Sequence, residues 1–131
     1  MANPGMFKTF DAEGDISPYR ICAHGTKDYA VKQATKATDA LAGTTDELGR
    51  QPNGRLDVCM GGQPEVEAGG ALAAGDPLTS DTEGKAVKAT EGGSRIIGFA
   101  MTGAAAGDII TYIYAPGTLG VAASAPSGSE G

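Results

Sequence analysis

One histidine and two cysteines are the side chains in this sequence that could support nucleophilic chemistry. His24 follows Cys22 by two positions, and residues two apart on a strand share a face, so the two side chains could meet. Nucleophilic catalysis also needs an oxyanion site and a group that orients the base. No Gly-rich nucleophile motif surrounds Cys22, and no acid is placed to orient His24. We therefore expect a solvent-facing His24 beside a turn, and we predict no enzymatic activity.

The side chains that bind metals lack the spacing of known sites. Cys22 and Cys59 are too far apart for the paired spacing of a zinc site. Asp76, Asp81 and Glu83 are close enough to suggest weak calcium binding, but they lack the alternating oxygen ligands of a calcium loop. We expect these acids to form a solvated turn, both cysteines to be buried thiols, and no metal or cofactor to bind.

Several classes of partner are disfavoured by composition. The formal net charge is −6, and Lys and Arg are scattered singly among more numerous acids, which argues against binding to nucleic acid or to an anionic membrane. The glycine pairs at 61–62 and 69–70 lack the Gly-Lys-Ser/Thr that completes a phosphate loop. No apolar run of membrane-spanning length and no signal peptide is found, so we expect synthesis and use without secretion.

The elements that position these residues fall into three zones. Residues 1–18 carry isolated large apolar side chains between Pro and Gly breakers, which indicates an extended N-terminal arm. Residues 19–119 form the folded body. Residues 120–131 are rich in Ala, Ser, Gly and Pro, which predicts a flexible C-terminal tail. The arm residues Met6, Phe7 and Phe10 are candidates for contact with a partner, because a segment that orders on binding covers more surface than a compact body.

The body reads as all-β. Gly accounts for 21 of 131 residues, and short runs rich in β-branched and aromatic residues are bounded by turn residues. The strongest predicted strands are 96–101 and 108–114. Residues 34–48 have some helix-like spacing, but three threonines and Gly43 within residues 38–45 limit that segment to short helical turns. Tyr112 and Tyr114 should point the same way from the last strand, either in half-buried packing or as an aromatic strip at a subunit contact.

The chain also repeats itself. Residues 30–35 (AVKQAT) resemble residues 86–90 (AVKAT), and each run is followed by an apolar strand, a Gly-containing turn and a further strand. Two such units can pack their apolar faces together and close into a small barrel or sandwich. The sequence therefore predicts a body built from two pseudo-repeated strand units.

The second half resembles a known family in its turn chemistry. The stretch Ala71–Leu78 (ALAAGDPL) is followed by residues 84–87 (GKAV), 97–100 (IGFA) and 104–110 (AAAGDII). This succession of a Gly-Asp turn, a Gly-Lys turn, an Ile-Gly-x-Ala strand and a second Gly-Asp turn resembles the capsid cement, or head decoration, proteins of tailed bacteriophages. Gly98 within a predicted strand indicates a bulge or a close backbone approach.

The resemblance implies a small β-barrel or β-tulip body that self-associates, often as a homotrimer, on the outside of an icosahedral head. There it would bind the major capsid protein and bridge neighbouring subunits, after synthesis in the host cytoplasm. We expect a structural cement protein. The alternative is a head-fibre or tail-associated β module that binds carbohydrate or a cell surface, which a concave aromatic platform would favour.

Overall fold

A computed structural model describes residues 3–4 and 6–120 of the chain, and all the regular structure in that range is β. The all-β prediction is therefore confirmed. The strands are β1 (Asn3–Pro4), β2 (Phe7–Ala12), β3 (Ile21–His24), β4 (Ala30–Gln33), β5 (Leu41–Thr45), β6 (Arg55–Cys59), β7 (Gly62–Gln63), β8 (Glu65–Glu67), β9 (Pro77–Ser80), β10 (Ala86–Lys88), β11 (Arg95–Ala100) and β12 (Ile109–Thr118).

The first unit, residues 7–59, closes a barrel of five strands in the order β2-β4-β3-β5-β6. Strand β2 runs parallel to β4 and antiparallel to β6, and so joins the two ends of the sheet. The barrel core is apolar and consists of Phe10, Ile16, Cys22, Val31, Ala42, Leu56 and Val58. Closure leaves this sheet without a free edge on which another chain could add a strand.

The second unit, residues 65–118, forms a sheet of five strands in the order β10-β9-β11-β12-β8. Its two ends meet at an isolated parallel bridge between Ala68 and Ala86, where the Gly69 amide donates to the Ala86 carbonyl at 2.8 Å. Ile21, Ala23 and Ala34 of the first unit pack into the core of the second. The core is thus shared between the two units.

The two units have the same strand order and register. Phe10 pairs with Leu56 in the first unit as Val66 pairs with Ile110 in the second. Likewise, the parallel pair Ala12–Val31 matches the bridge between Ala68 and Ala86. Strands β2 to β6 therefore correspond to β8 to β12 in sequence order, and the predicted pair of repeated strand units is confirmed. The match of the two AVK runs is offset by one residue, because Val31 and not Ala30 lies at the position of Ala86.

Gly43 and Gly98 occupy the same position in the two units. Gly43 lies opposite Cys22 on β3, and Gly98 lies opposite Leu78 on β9. A Cβ at Gly98 would overlap the carbonyl of Ile113, and the pairing of β11 with β12 shifts register beside it. The bulge and the close approach predicted for Gly98 are both present, and the repeat retains glycine because the backbones meet there.

The structure corrects the predicted N-terminal boundary. Residues 7–12, assigned from sequence to the extended arm, form a barrel strand, so the arm prediction is wrong for them. Ile16 is also buried in the barrel core. The physical reason is that β2 supplies the pairing that joins β4 to β6.

The weak helical prediction for residues 34–48 is wrong as well, because strand β5 occupies its centre. Predicted tail residues 121–131 lie outside the described range. No helix in residues 3–4 and 6–120 has the length and hydropathy to cross a bilayer.

Candidate contact surfaces

Two of the predicted contact residues lie on the surface of the barrel. Met6 is 63% exposed and Phe7 is 45% exposed. Their backbone is held in place, because the Met60 amide donates to the Met6 carbonyl at 2.7 Å and Phe7 pairs with Cys59. Phe7 also borders a shallow cleft between the two units, which is lined by Tyr19 and Glu65. The first residue of β2 and the residue before it therefore present two apolar side chains to solvent from a hydrogen-bonded backbone.

Two other predicted contact residues are buried inside the chain. Phe10 is 4% exposed in the barrel core, and Tyr112 is fully buried in the core of the second unit. Neither side chain can meet a partner while the chain is folded, so the contact prediction is wrong for both. Of the two interpretations left open for the tyrosines, internal packing holds for Tyr112.

Tyr112 and Tyr114 instead connect the second unit to strand β5 of the first. The Tyr112 hydroxyl lies 2.9 Å from the Thr44 hydroxyl, and the Tyr114 hydroxyl donates to the Ala42 carbonyl at 3.0 Å. Burial raises the pKa of both tyrosines above the ordinary value. Both phenols therefore stay protonated and act as hydrogen-bonding groups of the interface between the units.

Partly buried ion pairs centred on Glu67 also connect the first unit to the second. Glu67 lies 3.2 Å from the Arg20 guanidinium and 3.4 Å from the Lys85 ammonium. The pair with Arg20 crosses from the second unit to the first. Hydrogen bonding to Glu83 and the negative charge of Glu67 raise the pKa of Lys85.

The structure buries Cys22 and exposes His24. Cys22 lies in the barrel core, where burial raises the pKa of its thiol to about 12. A nucleophilic cysteine needs a lowered pKa, because the thiolate is the reactive form. His24 is exposed at the end of β3. This environment is the reverse of the one that activates a cysteine.

The acidic turn residues hold backbone amides. Asp76 and Asp108 accept hydrogen bonds from the amides of Ala73 and Ala105, each at 2.9 Å, in two matching Ala-Ala-Gly-Asp turns. Asp81 accepts from two amides of its own turn, those of Glu83 and Lys85. Within the described part of the chain, His, Cys, Asp and Glu do not form a group of three or more that could hold a metal ion.

A further surface, which the sequence analysis did not single out, lies on the outer side of β11 and β12. We call the exposed side chains of Phe99, Met101, Ile109 and Ile113 the outer face of the second unit; they are 40–43% exposed. Phe99 and Ile113 are directly opposed, and the Met101 amide donates to the Thr111 carbonyl at 3.2 Å. The signal in the sequence is that β12 carries apolar residues on both of its faces, whereas a solvated strand alternates.

No family model and no curated protein matches this sequence. Among solved structures, the chain is similar to the crystal structure of the N base of head fiber gp8.5 in bacteriophage phi29. The two have 22% sequence identity and a TM-score of 0.60, and the match covers 84% of this chain and 93% of the other. The likeness therefore shows a shared fold across nearly the whole of both chains.

Proposed function

We propose that this protein is a structural component of a bacteriophage head that binds the outer surface of the shell. The observation that carries the proposal is the fold shared with a phage head-fiber base over 84% of this chain. The Gly-Asp turns and the Ile-Gly-x-Ala strand that resemble cement proteins are independent support, because they come from sequence alone.

Within that role, we favour a cement protein that binds the major capsid protein and bridges neighbouring subunits. Met6 and Phe7 support this role because they are exposed apolar side chains at the start of β2, where Phe7 pairs with Cys59 and the Met60 amide donates to the Met6 carbonyl. Many identical copies on one shell need only modest individual contacts, because multivalent attachment raises the overall avidity. We also propose self-association, as a homotrimer, in line with the family resemblance.

The second candidate is the base of a head fibre or of another adhesive module, favoured by the description of the structural neighbour as a fiber base. Both candidates attach to a head. They differ in consequence: a cement stabilises the shell, whereas a fibre base anchors a group that recognises carbohydrate or a cell surface.

Heating undecorated, DNA-filled heads with and without the added protein separates the candidates. A cement raises the temperature at which the heads release DNA, and a protein variant that does not bind leaves that temperature unchanged. Binding without any gain in heat resistance would contradict the cement role and favour the fibre base. Binding to a glycan array in the absence of heads would favour the adhesive module.

A further inference from the structure

The outer face of the second unit has a counterpart in the first unit, because the two units have the same register. The opposed pair Phe99–Ile113 corresponds to the opposed pair Thr44–Cys59. Ile109, which pairs with Glu67, corresponds to Arg55, which pairs with Asp11. Phe99, Ile109 and Ile113 of the outer face can therefore each be compared with a first-unit position whose surroundings are known.

In the first unit, the residue type at these positions depends on whether the second unit buries the position or solvent reaches it. Thr44 is fully buried beneath Tyr112 of the second unit, and Cys59 is 2% exposed. Where the same face of the first unit reaches water, it carries Arg55, whose guanidinium pairs with Asp11 at 3.2 Å. Covered positions are thus uncharged, and the solvated position is charged, as expected from the cost of exposing apolar surface to water.

The second unit departs from this rule. Phe99, Ile109 and Ile113 are all large and apolar, including the position that is charged in the first unit, yet each is at least 40% exposed. An apolar face of this kind, bordered by acids such as Glu65 and Glu67 on the neighbouring strand β8, is typical of a surface that is covered in an assembly.

We propose that the outer face of the second unit binds a second copy of this chain. The reason for this occupant is that the corresponding face of the first unit is covered by a β unit of this same sequence. The packing of the second unit on the first is head-to-tail. It covers this face of the first unit, whereas the same face of the second unit stays exposed. Head-to-tail contacts continue into further copies until a ring closes.

The inference rests on the self-association included in the proposed function, but its test needs no phage head. Two variants change the outer face. Ile109→Arg introduces the residue found at the matching position 55 of the first unit, and the second variant combines Phe99→Thr, which matches Thr44, with a charge at position 113, Ile113→Asp. Leu48→Asp is the control, since Leu48 is an exposed apolar residue outside this face, at 61% exposure. Circular dichroism and the unfolding midpoint establish that each variant is folded.

The solution mass at about 100 µM, where even complexes of micromolar Kd are mostly formed, is the readout. We expect wild type and Leu48→Asp to have the mass of a multimer, and the outer-face variants to fall to the 13.1 kDa of one chain. A single-chain mass for wild type, or a multimer mass for both outer-face variants, overturns the inference.

Head binding distinguishes this failure from failure of the proposed function. If wild type is a single chain and Ile109→Arg abolishes head binding, the occupant is a capsid subunit and the inference is overturned. If the outer-face variants lose a multimer that wild type forms, the inference stands even where wild type does not bind heads.

Discussion

The hydroxyl oxygen of Tyr112 lies 2.9 Å from that of Thr44, and both side chains are fully buried. This contact joins the last strand of the second unit, β12, to strand β5 of the first. A buried polar group needs a hydrogen-bonding partner, and each of these two hydroxyls supplies the partner of the other. The two units are therefore held together by a shared apolar core and by a hydrogen bond whose partners come from opposite halves of the chain.

Replacing Tyr112 with Phe should destabilise the protein, because the Thr44 hydroxyl would remain buried without this partner. The expected loss is about 1–3 kcal/mol in the free energy of unfolding, measured by urea denaturation. Tyr114→Phe is the matched control and should cost less, since Tyr114 is only partly buried and its partner is a backbone carbonyl. Equal stability of Tyr112→Phe and wild type would contradict this assignment.

Adding one methyl group at Gly98 should be strongly destabilising. The new Cβ would overlap the Ile113 carbonyl, and the paired backbone would have to move. We expect Gly98→Ala to lose about 2 kcal/mol or more, and Gly43→Ala to behave similarly through its contact with the Cys59 carbonyl. Gly117→Ala is the control, because open space surrounds its Cβ position. A Gly98→Ala variant as stable as Gly117→Ala would show that the backbones do not meet.

The buried thiol of Cys22 should make stability fall at alkaline pH. The pKa of Cys22 is about 12 in the folded chain and near its ordinary value of 9.0 when unfolded. Below pH 9 both states hold the proton, so the thiol adds no pH dependence. Between those pKa values the unfolded state loses the proton and the folded state keeps it, so stability falls as pH rises.

The urea midpoint of wild type should therefore decrease from pH 9 upward, with a contribution from Cys22 of at most about 1.4 kcal/mol per pH unit. The raised pKa values of Tyr112 and Tyr114 add to the decrease at higher pH. Cys22→Ala should have a smaller slope between pH 9 and 10.5, although its stability at pH 7 is lower. An unchanged slope would contradict burial of the thiol.

Deleting residues 1–12 should unfold the barrel, because the deletion removes β2 and the pairing that joins β4 to β6. Met6→Asp changes the same segment without removing the strand, so it should leave the fold intact and weaken attachment to heads. Amide spectra by NMR report on the fold of both variants. If the truncated chain stays folded, residues 1–12 are a separate arm and not part of the barrel, which would contradict this prediction.

The sequence contains enough information for the fold class and the repeat, because the strand runs, the Gly-Asp turns and the glycine at position 98 are local signals. It does not identify β2 as a barrel strand, since Phe10 alone of its large apolar residues points inward. Nor does the sequence indicate that Tyr112 is fully buried while Tyr114 is only partly buried. The two have the same spacing and type, and their burial depends on contacts with Thr44 and Ala42, about seventy residues earlier in the chain.

Co-sedimentation of the purified protein with expanded, undecorated heads of its own phage shows whether the protein attaches to the head. We expect saturable binding at a fixed ratio to the major capsid protein, retained by Leu48→Asp and weakened by Met6→Asp combined with Phe7→Ser. Protein that stays in the supernatant at every concentration, while remaining folded, would contradict a role on the phage head.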